Sequence, residues 1–206
     1  MNASCRPNHL TLLIVTLCAL STVSTARAVV EACVPRFDQT PASGRWESNA
    51  SSNGPQWRAA ALNEAEPDGM QLPDSGTRRY ESSLQSPAFA VPAQGAQLEF
   101  RQQRDYSWAN TMGVLEISIA NRPFIDILAA GGVFESGAYD GRSLPGNPLG
   151  FRLAWAAKNQ ETLTRVQLPA NAAGQQVRLR FRAGSAGTGD LLPGWSIGSL
   201  RCVTTP

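Results

Sequence analysis

The chain has 206 residues, with 18 Lys and Arg against 16 Asp and Glu, four cysteines and one histidine. That histidine, His9, falls in a leader that export removes, so the mature chain has none. A Ser-His-Asp triad, a Cys-His pair and every His-ligated zinc site are thereby excluded.

The leader opens with Arg6 as its positive region. "LTLLIVTLCAL", Leu10 to Leu20, is its apolar core, and "STVSTARA" carries Ala26 and Ala28 at the small-residue positions of a cleavage site. This pattern reads as a signal peptide over residues 1–28. The apolar run is well short of the roughly 20 residues a membrane-spanning helix needs, and no other run is long enough, so no membrane span is expected. Arg6 and Arg27 leave with the leader, and the basic residues that remain match the 16 acidic ones. A formally neutral mature chain gives no electrostatic footprint for nucleic acid. Residues 29–206 are the length of one ordinary domain. Its expected location is secreted or periplasmic.

Along the mature chain, "WRAAALNEAE", Trp57 to Glu66, is the nearest approach to a helix, and Pro67 ends it. Alternation is clearer elsewhere. Leu98 and Phe100 share a face in "AQLEFRQQ", and Leu115, Ile117 and Ile119 share one in "VLEISIA". Asn121-Arg122-Pro123 predicts a tight hairpin connection to the run Phe124–Ala129. The passage from Gly131 to Gly150 reads as a long loop, the usual place for a binding site on such a fold. Val177, Leu179 and Phe181 alternate with Arg178, Arg180 and Arg182, and "GWSIGSLRC" closes the pattern. Short period-2 runs between Gly, Pro and Asn turns predict an all-β antiparallel sandwich or barrel. Cys33 and Cys202 remain after export and are expected to pair, stapling the first strand to the last. Closing so long a loop is worth about 4–5 kcal/mol in the loop-entropy view.

With these strands placed, the chain resembles bacterial secreted β-sandwich modules of the MAM-like, jelly-roll kind appended to exported peptidases and adhesins. The residues that carry the resemblance run in order: "RFDQTPASGRW", "SLQSPAFAVPAQGAQLEFRQQ", "GVLEISIANRPFIDILAAGGVFESGAYDG", "NPLGFRLAW", "VQLPANAAGQQVRLRFRAGS" and "GWSIGSLRC". It implies one extracellular jelly-roll β-sandwich over residues 29–206, used for recognition, adhesion or surface attachment, usually without catalysis. Family members often carry acids before the Gly-Val-Leu-Glu strand and after the Gly-Trp-x-Ile motif, where they help bind calcium. Here Trp108 to Met112 and the pair Gly198 and Ser199 stand instead.

The candidate sites follow from side-chain chemistry. Glu64, Glu66, Asp68 and Asp74 are the oxygen donors a calcium ion would want, but their spacing matches no EF-hand, and a solvated acidic loop is the preferred reading, with no cofactor. Glu99 and Glu116, on consecutive strands, are the paired carboxylates of a glycoside hydrolase if they face each other, with Arg101 and Arg180 as partners otherwise. Arg178, Arg180 and Arg182 project from one strand face, where guanidinium groups pair with acids or grip an anionic glycan. Trp46, Trp155 and Trp195 read as core. Tyr106 and Trp108, in the polar turn "RDYSWANT", together with Tyr139 and Asp140, are the expected ligand contacts. The sequence favours a non-catalytic recognition or adhesion module whose partner is surface carbohydrate or an extracellular protein. The alternatives are a carboxylate-based glycoside hydrolase and a protein-binding subunit or inhibitor.

Overall fold

The computed structural model describes residues 33–38, 44–52, 54–64, 68–73, 78–105, 111–187 and 194–204. The expected leader lies outside these residues. In chain order the strands are β1 (Glu47–Ala50), β2 (Arg58–Ala59), β3 (Gly69–Leu72), β4 (Arg79–Gln85), β5 (Phe89–Ala90), β6 (Ala96–Asp105), β7 (Thr111–Ile119), β8 (Ile125–Asp126), β9 (Val133–Ser136), β10 (Gly141–Arg142), β11 (Leu153–Ala154), β12 (Asn159–Gln167), β13 (Gln176–Ala186) and β14 (Gly194–Thr204). The first sheet runs β1-β4-β13-β7-β8 with β5 beside β13, and the second runs β2-β3-β14-β6-β12-β9. Every pairing is antiparallel, as the alternation predicts. The sheets stack face to face as a β-sandwich. The helix hinted at by "WRAAALNEAE" is not formed; its first residues make β2, because Trp57 is drawn into the core against Trp195.

The core lies where the inward-facing positions of the two sheets meet. Val177, Leu179 and Phe181 come from β13 and Leu98 and Phe100 from β6, all of them buried. Phe181 packs edge-on against Phe100 at 5.2 Å and Trp195 at 5.9 Å, and Trp195 meets Trp155 at 5.6 Å. Such edge-to-face pairs add to the area they bury. This packing dictates Gly113: a Cβ there would lie 2.6 Å from the Trp195 ring. One polar side chain is fully buried among these rings. Gln102 accepts from the Trp195 Nε1 at 3.0 Å and donates to the Thr164 hydroxyl at 2.7 Å, so its amide carries no unmet demand.

A bulge in β14 sets which side chains reach which side. The register slips between Gly198 and Arg201, and Ser199 takes a positive φ of 49°. The extra residue resets the alternation, so Leu200 and Cys202 point inward while Arg201 points out toward Glu99. Cys202 is bonded to Cys33 across a sequence separation of 169 residues, the pair the sequence predicts, although Cys33 lies ahead of β1 and not in a first strand. The hairpin between β7 and β8 also forms. Its turn residues are Ala120 and Asn121, both with positive φ, closed by the Arg122 amide donating to the Ile119 carbonyl at 3.1 Å. Two positive φ angles match a primed turn, which suits the twist of the flanking strands.

The passage from 131 to 150, read as one loop, contains more order than that. β9 leaves the first sheet and pairs with β12 in the second. β10 then pairs with β11. Residues 141–156 form a flap over the outer face of the first sheet, where Leu149, Ala154 and Ala156 cover Met112 and Val114. Asn147 fixes the flap by donating to the Gly184 carbonyl at 2.9 Å. No helix among the described residues is long and apolar enough to cross a membrane.

Candidate functional site

Of the residues nominated as ligand contacts, Tyr106 and Trp108 lie outside the described residues. The other two are described. Tyr139 is half-buried, with its ring packed against the core. Its ring packs against Trp155 at 4.8 Å and Phe134 at 5.1 Å. Its hydroxyl donates to Asp126 and accepts from the Leu115 amide at 3.0 Å. Burial, then the nearby Asp126 charge, push its pKa well above the ordinary tyrosine value. Asp140 is also committed to the fold. One oxygen accepts from the amides of Ala156 and Ala157, at 2.6 and 3.0 Å, and the other pairs with Arg104 at 2.8 Å.

Arg104 is the residue here that sequence reasoning missed. It is buried at the end of β6, its Nε donates to the Asn159 side chain at 3.1 Å, and its Nη1 is an unspent buried donor. The signal was present: the alternation puts Gln102 and Arg104 on the same inward face as Leu98 and Phe100. A charged residue in register with the core needs a partner. Asp140, at the solvent edge, supplies it through the ion pair at 2.8 Å.

Glu99 and Glu116 do not face each other. β6 and β7 are consecutive in sequence but belong to opposite sheets, and both carboxylates point outward. The two outer faces are therefore separated by the whole thickness of the sandwich, more than the roughly 10 Å between stacked sheets. Glu99 accepts from Arg165 and Arg201, each at 2.8 Å. Glu116 accepts from Arg152 at 2.8 Å and Arg180 at 2.7 Å, with Arg182 at 3.4 Å. Burial by itself would raise both carboxyls. The arginine hydrogen bonds and charges outweigh it and hold both below the ordinary glutamate value. A glycosidase acid needs the opposite shift, upward. The expected partner Arg101 instead pairs with Glu161 at 2.8 Å.

The arginine stripe of β13 divides. Arg182 bonds Glu81 at 2.8 Å as well as Glu116, and Arg180 lies over the Phe124 ring at 4.3 Å. Arg178 has no ion pair or hydrogen bond among the described residues. Of the acidic-loop residues, Glu66 and Asp74 lie outside the described residues, Asp68 pairs with Arg36, and Glu64 is exposed. No cluster of three His, Cys, Asp or Glu side chains suited to a metal forms among the described residues.

The outer face of the second sheet carries a row of polar side chains. Gln71 accepts from Arg58 at 3.1 Å, Ser196 lies between Gln71 and Gln103, and Arg101 and Glu99 continue the row along β6. The paired partners hold many of these donors and acceptors in place, so the face is a fixed array rather than a set of mobile chains.

No family model and no curated protein matches the chain. Solved structures match it in fold. The glycoside hydrolase domain of Endo-D from Streptococcus pneumoniae R6 aligns with a TM-score of 0.51 at 10% identity, over 78% of this chain. This chain spans 22% of that one. The K1 cleaved adhesin domain of Lys-gingipain from Porphyromonas gingivalis W83 aligns at 0.49 and 14% identity, over 84% of this chain and 97% of that chain. TmCBM61, solved in complex with β-1,4-galactotriose, aligns at 0.47 and 8% identity, over 83% and 95%. At these identities the likeness is one of fold: an antiparallel β-sandwich.

Proposed function

We propose that this chain is a secreted, non-catalytic recognition module that holds surface carbohydrate on the open face of its second sheet. The observation that carries the reading is that face itself. Amides, guanidinium groups and carboxylates stand there in fixed pairs along adjacent strands. Sugar hydroxyls donate and accept at once, and such an array meets both needs. Tyr106 and Trp108, nominated from the sequence, are aromatic side chains able to stack on sugar rings on this reading. Tyr139 acts on this reading only by bracing the aromatic cluster. The sandwich neighbours that bind saccharides or serve as adhesins agree with this use. The finer MAM-like label rests on the order of the sequence motifs.

A hydrolase built on Glu99 and Glu116 finds no support in their geometry, since they lie on opposite faces and both are held ionised. A protein partner is the second reading, favoured by Leu144, Phe151 and Leu153, which stand exposed on the flap. Export is consistent with the disulfide, which survives in oxidising compartments.

The test is a broad glycan array probed with residues 29–206, in calcium and in chelator. Specific binding that falls on Gln103→Ala and Trp108→Ala supports the reading, and equal signal in chelator assigns it to the side chains alone. Silence on the array, with a protein co-purifying from culture supernatant and lost on Phe151→Ser, would replace it with the second reading.

A further inference from the structure

Two arginines without a hydrogen bond or ion pair among the described residues line one cleft on the other side of the molecule. The cleft lies at the end of the first sheet's outer face that the flap leaves open. It has a volume of about 280 Å³ and is lined by Arg45, Glu47, Gln85, Asn121 and Arg178, with Ser86 and Pro87 at its wall. Its frame is well determined. Trp46 is buried against Phe37 at 4.8 Å and Phe181 at 6.4 Å, so Arg45 and Glu47 on either side of it both face outward. Glu47 lies opposite Gln85, which ends β4 and in turn lies opposite Arg180 on β13. Asn121 is the turn residue at the tip of the β7–β8 hairpin.

Arg178 lacks an acid along its strand for a visible reason. Along β13 the acids are used up: Arg182 takes Glu81 and Glu116, and Arg180 takes Glu116 and the Phe124 ring. Nothing is left for Arg178. Neither Arg178 nor Arg45 has a hydrogen bond or ion pair among the described residues, and Arg178 is half-buried. A half-buried guanidinium beside a second one is a receptor for a planar anion, since the fork of donors matches a carboxylate.

The other wall groups narrow the ligand. Glu47 would repel a densely charged polyanion, but as an acceptor it suits hydroxyl groups. Gln85 and Asn121 offer amides that both donate and accept. The volume is just under the roughly 300–1,000 Å³ of typical small-molecule pockets, which suits one ring. One carboxylate carried on a ring of hydroxyls is a uronic acid residue. We infer that this cleft is a subsite for the carboxylate of an acidic saccharide, separate from the open face of the second sheet and independent of whether that face binds sugar.

The probe is trigalacturonate, with neutral β-1,4-galactotriose and poly-glutamate as the comparison ligands, titrated at low salt and followed by calorimetry and amide NMR shifts. The acid trimer should bind at least roughly tenfold more tightly than the neutral one, as charge-assisted hydrogen bonds imply. Its shifts should gather at Gln85, Asn121 and the β13 end. Arg178→Gln should remove that preference with an unchanged melting temperature, because Arg178 holds nothing in the fold, and Arg45→Gln should weaken it. Any array signal lost on Gln103→Ala should survive both changes. Equal affinity for the acidic and neutral trimers, or full binding by Arg178→Gln, overturns the inference and leaves the reading of the second sheet standing. Poly-glutamate binding as tightly as trigalacturonate overturns the saccharide assignment.

Discussion

Glu99 and Glu116 stand on the two outer faces, each between arginines of neighbouring strands, and they differ in what lies above them. Glu99 is covered only by its arginines, whose side chains are 41% and 65% exposed. Glu116 is covered by the flap, through Arg152, and its three arginines are 20–27% exposed. The same chemistry thus sets a covered acid under solvated arginines on one face and makes a buried network on the other. The lesson is that a carboxylate–arginine cluster has no fixed worth. What decides is how much water the arginines recover when the acid is removed.

The largest expected effect follows directly. Glu116→Gln leaves half-buried Arg180 with no acid, Arg152 with only Asp126 and Arg182 with only Glu81, and should cost about 3 kcal/mol by urea or thermal unfolding. It should also loosen the flap, read as new protease cleavage within residues 141–156. A loss below about 1 kcal/mol would break the comparison, because it would equate the network with a surface pair.

An intermediate effect concerns acid. Both glutamates have folded values below their ordinary one. A depressed carboxylate contributes stability that is present above its unfolded pKa and is lost as pH falls through the folded one. Wild-type stability should therefore fall below about pH 4.3, the ordinary glutamate value. Glu116→Gln should flatten that limb more than Glu99→Gln. Equal flattening by the two would show that the flap adds nothing to the Glu116 interaction.

The smallest effect sharpens the other side. In Glu99→Gln, Arg165 and Arg201 swing into water, and the cost should stay within about 1 kcal/mol and fall further in 1 M salt. The open face keeps its shape in that variant, so it also tests whether Glu99 accepts from a bound glycan on the array.

Much of the sandwich is legible from the alternation of single strands. Val177, Leu179 and Phe181 against Arg178, Arg180 and Arg182 needs only the period of a strand. The tryptophans read as core are core, and Cys33 meets Cys202. The candidate site is less legible. Alternation assigns Glu99 and Glu116 to faces but not to sheets, and consecutive strands that change sheets turn an apparent pair into two separate sites. Tyr139 and Asp140 sit in a Gly-rich passage that reads as an exposed loop. The packing of Tyr139 depends on β9 joining the second sheet, and Asp140 is tied at the surface by the buried Arg104, contacts made across tens of residues.

By itself, then, the sequence determined the all-β class, the strands that dominate the core and the disulfide, because each follows from local period or from composition. Only the tertiary structure decided which charges are satisfied. The flap's place over Glu116, the bulge that turns Arg201 toward Glu99 and the exhaustion of acids before Arg178 all arise from pairings between distant strands. Electrostatic worth depends on those distances and on burial, and neither is written in the spacing of residues along one strand.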